Sequence, residues 1–473
     1  MGLMDRVKGL AKSKSENALA FYNLMGPIIL NGINFFTVPI FTRLLGTSGY
    51  GVVSVYTAWV QILAIVIGLQ TGTTIAVARV HIGEDRQKAY RSSVMSLSFC
   101  SMVVLSLLIL LFIEPISKFL DLSVVLIVIM IFQSFGTFVI SFASTTFTFD
   151  KQAQKTFLLS VTTALATIAL SLVLILTVGK GESAYARIWG MAIPNIIIGA
   201  LFFVLFLVRG KVTFSKEYWK FCLPLALPLI FHGLSHLVLS QAGKVMLQKM
   251  VNNDVAGIYS FIVTFTGLIN VVWAALNNTW VPFYYDDMKA EKKDTIQHKT
   301  GNYLMLFSGI TMGFVLISPE VARLFASEDF WGGIDMIPVY ALSMFMVFLY
   351  SFPVNFQLYH KRSVFIAVGT ASAAAVNLAL NYLFITWWGM MGAAVATMIA
   401  YIMLFAFHQL IAKFVVKQGY HFSFRQYVLP LLAVGASMVA FYVLKDFWYI
   451  RWAIGAALGI MLLRRILKNK SIF

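Results

Sequence analysis

Residues Pro39 to Arg79 read PIFTRLLGTSGYGVVSVYTAWVQILAIVIGLQTGTTIAVAR, and this stretch decides the fold. It predicts the end of one membrane helix, a tight turn and a second complete helix, because the glycine-rich turn LGTSGYG lies between apolar runs that can each cross a bilayer. Two of its features are unusual for a helix that faces lipid. Arg43 stands at a helix end, and the polar run QTGTT at 70–74 interrupts the second helix. Polar side chains at membrane depth are costly unless they face protein or water, so we expect this segment to line a wet surface.

The composition is that of an integral membrane protein. Hydrophobic residues make up 60% of the 473 residues and charged residues 12%, with a mean hydropathy of +0.83, whereas soluble domains carry about 25% charged residues. The sequence predicts an all-α fold with about 14 transmembrane helices. The expected spans are 18–42, 50–76, 92–113, 122–148, 156–178, 184–208, 219–242, 255–280, 300–318, 334–358, 363–386, 390–412, 427–444 and 447–464.

The distribution of basic residues predicts the orientation, because Lys and Arg are retained on the cytoplasmic side of a membrane. With a cytoplasmic N-terminus, 27 of the 36 Lys and Arg residues lie inside, and both termini are cytoplasmic. The net charge of +17 is then a topology signal, which removes the need for a nucleic-acid partner. Residues 1–17 are basic and polar, and we expect them to lie on the inner membrane surface as a short amphipathic helix, with no cleavable signal peptide before the first span.

The sequence carries no motif that predicts an enzyme. A Walker loop, a dinucleotide fingerprint, HExxH and GxSxG are all absent. Cys100 and Cys222 lie in or beside predicted helices, where a lone thiol behaves as a small apolar group. We therefore expect no catalytic residue, no disulfide, no metal site and no cofactor.

An internal repeat with an offset of 206 residues organises the chain. The matched positions are Arg43 with Lys249, Gly51 with Gly257, Ser54 with Ser260, and the polar interruption 71–73 with 277–279. Because each half holds an even number of spans, we expect two parallel six-helix repeats around a central cavity, as in transporters whose halves rock about a central site. The expected divisions are a basic cytoplasmic segment 1–17, an N-lobe 18–210, a C-lobe 211–413, and 414–473 with helices 13 and 14 and a basic cytoplasmic tail.

Polar residues and prolines at helical spacing predict which helix faces line that cavity. They are Asn23, Pro27, Asn31 and Asn34 on the first span, Gln133, Thr137, Ser141, Thr145 and Thr148 on the fourth, Pro224, Pro228, His232, His236, Ser240 and Lys244 on the seventh, and Thr266, Asn270 and Asn277 on the eighth. The alternative is that the Asn, Ser and Thr residues only bond helices to one another. Pro27, Pro39, Pro224 and Pro228 are candidate hinges, and the alternative is that they only shape packing.

The ionisable groups nearest the membrane core are basic, and no Asp or Glu lies deep in a predicted span. These groups are Arg43, His232, His236, Lys244 and His408, and a cavity lined by them suits an anion. His232 and His236 are a candidate proton-sensitive pair, with a neutral structural pair as the open alternative. His408 stands alone near the end of the twelfth span, and we interpret it as a packing residue.

Two stretches resemble the polysaccharide biosynthesis, or oligosaccharide flippase, family. PIFTRLLGTSGYG with GLQTGTTIAVAR is similar to the opening two helices of that family, and AGIYSFIVTFTGLINVVWAALNNTWVPFYYDD is similar to the start of its second half. The resemblance implies the fold of the multidrug/oligosaccharidyl-lipid/polysaccharide exporter superfamily and a bacterial or archaeal cytoplasmic membrane. It implies a polyprenyl-diphosphate-linked oligosaccharide as substrate, and a basic lumen that falls on Arg43 and Arg79 by matching stretch.

The expected activity is the transfer of this lipid-linked oligosaccharide from the inner to the outer leaflet by alternating access, among membrane lipids. We expect Arg43, Lys244 and Lys249 to receive the diphosphate at the outer mouth and Arg79 to lie near the inner one, with export driven by the membrane potential. H+ or Na+ is a candidate coupling ion, and a polysaccharide polymerase or assembly protein is a candidate partner. The open alternatives are a flippase for a lipid-linked peptidoglycan precursor, a cation-coupled multidrug exporter, which would need a deep carboxylate, and a non-transporting subunit of a polysaccharide-assembly complex.

Overall fold

The computed structural model describes residues 16–178, 182–417, 422 and 424–469, and it describes side chains from Ile29 to Arg464 apart from these gaps and Val178. The side chains of the expected amphipathic segment 1–17, and those of Asn23 and Pro27, lie outside this description. Helices are the regular secondary structure of the described residues, and short turns and loops join them. The helices are α1 (Glu16–Gly68), α2 (Thr74–His81), α3 (Gln87–Leu111), α4 (Ile113–Leu120), α5 (Val124–Phe149), α6 (Ala153–Val178), α7 (Ser183–Gly210), α8 (Lys216–Met250), α9 (Asn253–Lys289), α10 (Lys293–Phe325), α11 (Ile337–Tyr359), α12 (Ser363–Leu410), α13 (Arg425–Val443) and α14 (Trp448–Asn469), with 3₁₀ turns at Thr71–Thr73, Glu84–Arg86 and Glu328–Met336 and a π-helical turn at Ile411–Val416.

The prediction of an all-α membrane protein with about 14 spans is confirmed. Among the described residues, 11 helices are long and apolar enough to cross a membrane. Two of these, α1 and α12, are broken by a left-handed glycine, Gly46 at φ 64° and Gly389 at φ 55°, so each supplies two spans. Glycine adopts this conformation without a Cβ clash, so a single residue suffices for each break. The last expected span coincides with α14.

The chain forms two compact units. The first contains Met1–Thr37 and Val52–Leu237, and the second contains Val38–Gly51 and Val238–Phe473. The segment Val38–Gly51 therefore belongs to the second unit, although the residues on both sides of it belong to the first. The N-lobe 18–210 and the C-lobe 211–413 were drawn from matching sequence positions, whereas the two units are groups of residues in contact. The division into these lobes stays a prediction.

Close approach of helix backbones holds the first unit together. α7 packs against α3, α5 and α6. A methyl group on Gly136 of α5 would overlap the carbonyl oxygen of Asn195, and one on Gly199 of α7 would overlap the backbone of Gly136. Small residues are typical of membrane helix interfaces, because they let two backbones come into van der Waals contact.

The two glycines that the repeat pairs are in contact with each other inside the second unit. A methyl group on Gly257 would overlap the carbonyl oxygen of Thr47, and one on Gly51 would overlap that of Asn253. Thr47 and Asn253 are themselves 206 residues apart, so the contact is reciprocal. The hydroxyl of Thr47 also donates to Oδ1 of Asp254. The turn singled out in the sequence is thus one of two equivalent helix starts that pack against each other.

The sequence predicted that the polar residues 277–279 interrupt their helix as 71–73 do, and this is wrong. α9 runs unbroken from Asn253 to Lys289, whereas α1 ends at Gly68 and is followed by two residues with positive φ. A helix break at membrane depth needs new partners for the freed backbone groups. The first repeat supplies them, because the hydroxyls of Thr71 and Ser98 both donate to the carbonyl oxygen of Gly68.

A buried ion pair attaches α14 to α10 in the second unit. Arg451, which is 1% exposed, donates from Nη2 to Oε1 of Glu320 at 2.5 Å and from Nη1 to the carbonyl oxygen of Leu316 at 3.1 Å. The Trp452 indole donates to the other carboxylate oxygen of Glu320 at 3.0 Å. Because both charged groups have several hydrogen-bond partners, the pair can remain ionised inside the protein.

We expect Arg451→Met to lower the free energy of unfolding by about 3–5 kcal/mol, because it leaves the Glu320 carboxylate without its cation. Thermal and denaturant unfolding of the purified protein in detergent measure this loss. The matched control is Lys445→Gln, since the Lys445–Asp335 pair has side chains 49% and 43% exposed and should contribute less than about 1 kcal/mol. Equal destabilisation by the two substitutions would contradict the role assigned to Arg451.

Candidate functional site

A polar cavity of about 340 Å³ lies within the first unit. Amide and hydroxyl side chains from α1, α5 and the turn after α1 line it together with apolar neighbours. The polar lining residues are Gln61, Gln70, Thr73, Thr137, Ser141 and Thr145, and Gly72 adds backbone. Residues of the polar run 70–74 and of the polar stripe on the fourth span thus line the same cavity. A cavity with such a lining can hold water, as we expected for this segment.

A strained turn brings Gln70 to this cavity. Leu69 and Gln70 have φ of 48° and 53°, a left-handed conformation that costs a residue with a Cβ about 1–2 kcal/mol. The turn is held by hydroxyl groups behind it. Thr71 lies 3.1 Å from the Ser98 hydroxyl, and Thr74 lies 2.7 Å from the hydroxyl of Tyr90. The polar run therefore divides into two buried threonines that support the turn and two residues, Gln70 and Thr73, that face the cavity.

The described lining of the cavity is uncharged. Amides and hydroxyls both donate and accept hydrogen bonds, so they match the hydroxyl groups of a neutral polar molecule such as a sugar. The described lining offers hydrogen-bond donors and acceptors, which is the chemistry of binding a polar molecule.

α8 approaches the cavity with the histidine stripe. Leu237 lines the cavity, and a methyl group on Gly233 would overlap the amide of Gln70. His232 is half-buried, and its Nδ1 has no hydrogen-bond partner among the described residues. His236 is exposed. Neither imidazole is among the lining residues, so their role stays a prediction.

Arg79 belongs to an ion cluster in the first unit. Asp150, directly after α5, accepts two hydrogen bonds of 2.7 Å from Arg91 and one of 3.2 Å from Arg79. Arg79 also donates to the carbonyl oxygen of Phe149, and its side chain is 41% exposed. Two guanidinium groups share one carboxylate, so the cluster keeps a positive charge near solvent.

Arg43 and Thr42 cap α10 in the second unit. Arg43 donates from Nη2 to the carbonyl oxygen of Leu324 at 2.8 Å and from Nη1 to that of Pro39 at 3.0 Å. The Thr42 hydroxyl lies 3.2 Å from the carbonyl oxygen of Phe325. Cations are favourable at a helix C-terminus, so Arg43 has a structural role that the sequence did not reveal. It remains exposed, and its predicted contact with a diphosphate stays a prediction.

The other predicted site residues are spread over α1, α8 and α9. Lys244 is half-buried and Lys249 is exposed near the end of α8, and Pro224 and Pro228 lie inside this continuous helix. The remaining asparagines are Asn31, which is half-buried, Asn34, which is exposed, Asn270, whose Oδ1 is buried without a described partner, and Asn277, which accepts from Asn355 at 3.5 Å. Their roles stay predictions.

Gln61 is a lining residue that sequence reasoning missed. It is a single polar residue within an apolar run of the second span, so no periodicity marks it. His408, interpreted as a packing residue, is buried with Nδ1 3.2 Å from Oε1 of Gln357.

The sequence matches the family described as Polysaccharide biosynthesis protein over residues 18–286. The chain belongs to this family. A Haemophilus influenzae protein of the Lsg locus is 24% identical over 357 residues, which cover 73% of this chain and 85% of the relative. An uncharacterized membrane protein of the same organism is also 24% identical, over 363 residues, with 72% and 83% covered.

Among solved structures, this chain is similar to the lipid II flippase MurJ in an inward closed conformation. The TM-score is 0.67 at 14% identity, with 96% of this chain and 99% of MurJ covered. It is also similar to an inward-facing multidrug resistance MATE family transporter of the MOP superfamily, with a TM-score of 0.62 at 15% identity and 85% of this chain covered. At these identities the likeness shows a shared fold.

We expect the cavity to be wet, which cysteine labelling measures. In a Cys100→Ala/Cys222→Ala background, Ser141→Cys should react with a water-soluble thiol reagent, because the reactive thiolate forms only in water. The matched control is Thr162→Cys, an exposed position on α6 outside the cavity lining and at a similar distance from the α5–α6 junction. It should react at least about tenfold more slowly. Equally slow labelling at both positions would show that the cavity is dry.

Proposed function

We propose that the protein is a flippase that transfers a polyprenyl-diphosphate-linked oligosaccharide from the inner to the outer leaflet of the cytoplasmic membrane by alternating access. The observation that carries this proposal is an uncharged, hydrogen-bonding cavity inside a membrane-embedded unit of a Polysaccharide biosynthesis protein. A likeness in fold to MurJ, which is named a lipid II flippase, supports the same class of cargo.

The energetics of the cargo favour such a cavity. A sugar hydroxyl that enters hydrocarbon without a partner costs roughly 2–7 kcal/mol, so an oligosaccharide faces a barrier of tens of kcal/mol. Gln61, Gln70 and Thr137 offer replacement partners at membrane depth. The cavity therefore removes the part of the barrier that comes from the sugar hydroxyls.

Basic residues suit the diphosphate. With both termini cytoplasmic, the cluster around Arg79 lies near the inner mouth, and Arg43, Lys244 and Lys249 lie near the outer one. Each negative charge that moves outward gains roughly 2.3 kcal/mol per 100 mV of inside-negative potential. The membrane potential can thus drive export. H+ or Na+ is a further candidate for coupling transport to an ion gradient. A polysaccharide polymerase or assembly protein is a candidate protein partner.

A flippase for a lipid-linked peptidoglycan precursor is the second candidate. MurJ covers 96% of this chain, whereas the MATE transporter covers 85%. A cation-coupled exporter is less well supported, because it needs a deep carboxylate. Asp150 directly follows a helix and Asp254 lies in the first turn of one, both away from the middle of a span.

Deleting the gene should abolish a surface polysaccharide and cause its lipid-linked precursor to accumulate, as measured by mass spectrometry of lipid extracts. Ser141→Leu should restore less than about a tenth of the polymer, because it removes a hydroxyl and fills the cavity. Thr162→Leu, outside the cavity lining, should restore it fully at equal protein level. The absence of any accumulating intermediate would contradict the flippase proposal, and accumulation of a peptidoglycan precursor would favour the second candidate.

Flipping should depend on the membrane potential. In vesicles that hold the purified protein, an inside-negative potential of about 100 mV should speed outward transfer of the lipid-linked sugar by at least about tenfold. Vesicles whose potential is collapsed by an ionophore are the control. An equal rate in both would contradict a potential-driven export of the diphosphate.

A further inference from the structure

A second cavity, of about 910 Å³, lies at one end of the second unit. It is formed by the start of α10, the π-helical turn that follows α12, and the start of α13. Four cations line it, Lys293, Lys413, Lys417 and Arg425, with Gln297 and Gln409 as polar neighbours. This group of cations is not part of the sugar-binding cavity proposed above.

The local backbone places two of these lysines. Lys413 lies in the π-helical turn, and Lys417 follows it in a left-handed conformation with φ 60°. Both are favourable near the negative end of a helix dipole. Lys211 adopts the same conformation, with φ 58°, after α7, exactly one 206-residue repeat earlier. The pocket is therefore built on a feature of the fold that occurs at the end of both six-helix repeats.

The equivalent end of the first unit differs in charge. A smaller pocket of about 190 Å³ there contains Lys88, Arg91, Lys155 and Arg209, but also Asp150, which binds Arg91 through both carboxylate oxygens. In the second unit, the described lining residues include no carboxylate. In the sequence, the stretch QGYHFS at 418–423 contains no Asp or Glu. The first pocket thus carries its own anion, whereas the second is suited to receive one.

Large apolar side chains accompany the cations. Leu410, Phe414 and Phe424 line the same pocket and are 55%, 55% and 58% exposed. Lys413 lies 5.2 Å from the centre of the Phe414 ring. A cationic pocket between membrane helices with an apolar border matches a ligand that has a phosphate headgroup and hydrocarbon chains.

We propose that this pocket binds the phosphate headgroup of an anionic membrane lipid. Lys293, Lys413 and Lys417 neutralise the phosphate, and Phe414 and Phe424 contact the first carbons of the chains. The ligand could be a phospholipid or a polyprenyl diphosphate, since both present a phosphate ester on a hydrocarbon chain. The site does not depend on the cargo proposed above, because it is separate from the neutral cavity.

The test measures lipid binding to the full-length protein in detergent by native mass spectrometry, with phosphatidylglycerol, polyprenyl diphosphate and inorganic pyrophosphate as separate probes. We expect the variant K293Q/K413Q/K417Q to bind phosphatidylglycerol at least about tenfold more weakly, since each cation near an anionic lipid contributes about fivefold. The matched control is K289Q/K292Q/K361Q, which removes three exposed cations from neighbouring interhelical turns outside the pocket lining. It should bind within about twofold of the original chain.

Unfolding temperatures of both variants establish that they are folded. Binding of polyprenyl diphosphate without phosphatidylglycerol, and its loss in the pocket variant, would support the phosphate site and assign it to the cargo lipid. Pyrophosphate binding as tightly as the lipids would overturn the role of Phe414 and Phe424. Equal weakening in the two triple variants would overturn the site. Flipping measured in parallel separates this result from the proposed function, because lipid binding is read without transport.

Discussion

A backbone carbonyl that loses its helical partner inside a membrane must find another donor, and the first unit is arranged around one such carbonyl, that of Gly68. The hydroxyls of Thr71 and Ser98 donate to it, which makes the break after α1 possible. The break allows the left-handed turn at Leu69 and Gln70, and that turn places an amide at the edge of the polar cavity. Thr71 and Thr74 of this polar run thus support the turn, whereas Gln70 and Thr73 line the cavity. Structural support and a cavity lining therefore occur within five consecutive residues, and the binding of a sugar at this lining stays a prediction.

Buried charged groups, like the freed carbonyl of Gly68, need partners inside the protein. Arg451 and Arg91 are nearly inaccessible, and each binds a carboxylate, Glu320 and Asp150, together with further hydrogen-bond partners in the first case. Desolvated charges need such partners, because an isolated ion in low dielectric costs several kcal/mol. Lys293, Lys413 and Lys417, which line the pocket at the end of the second unit, are exposed, and the cost of a charge that no carboxylate neutralises is small there. Their position therefore allows them to bind an external anion, which fully buried cations could not do without first losing a partner.

The sequence alone was sufficient to predict the membrane spans and the breaks near Gly46 and Gly389. It also matched Gly51 with Gly257 as equivalent positions of the repeat. These features depend on hydrophobic runs, glycine and local spacing, which a single sequence contains. The sequence was insufficient to predict features that depend on which helices contact each other. The partner of Arg43 is a carbonyl on α10, and the cavity needs Gln61 beside a stripe on α5. The break after Gly68 uses a donor from another helix, Ser98, and the residue 206 positions later is Leu304, which has no hydroxyl.

The reciprocal contact of Gly51 and Gly257 attaches the segment Val38–Gly51 to the rest of the second unit. The chain passes between the two compact units at 37/38, at 51/52 and within α8 at 237/238. Pro39 lies beside the first of them, and its carbonyl oxygen is held by Arg43 rather than by the helix alone. At the Gly51–Gly257 contact two backbones meet without side chains between them, so neither position has room for a Cβ.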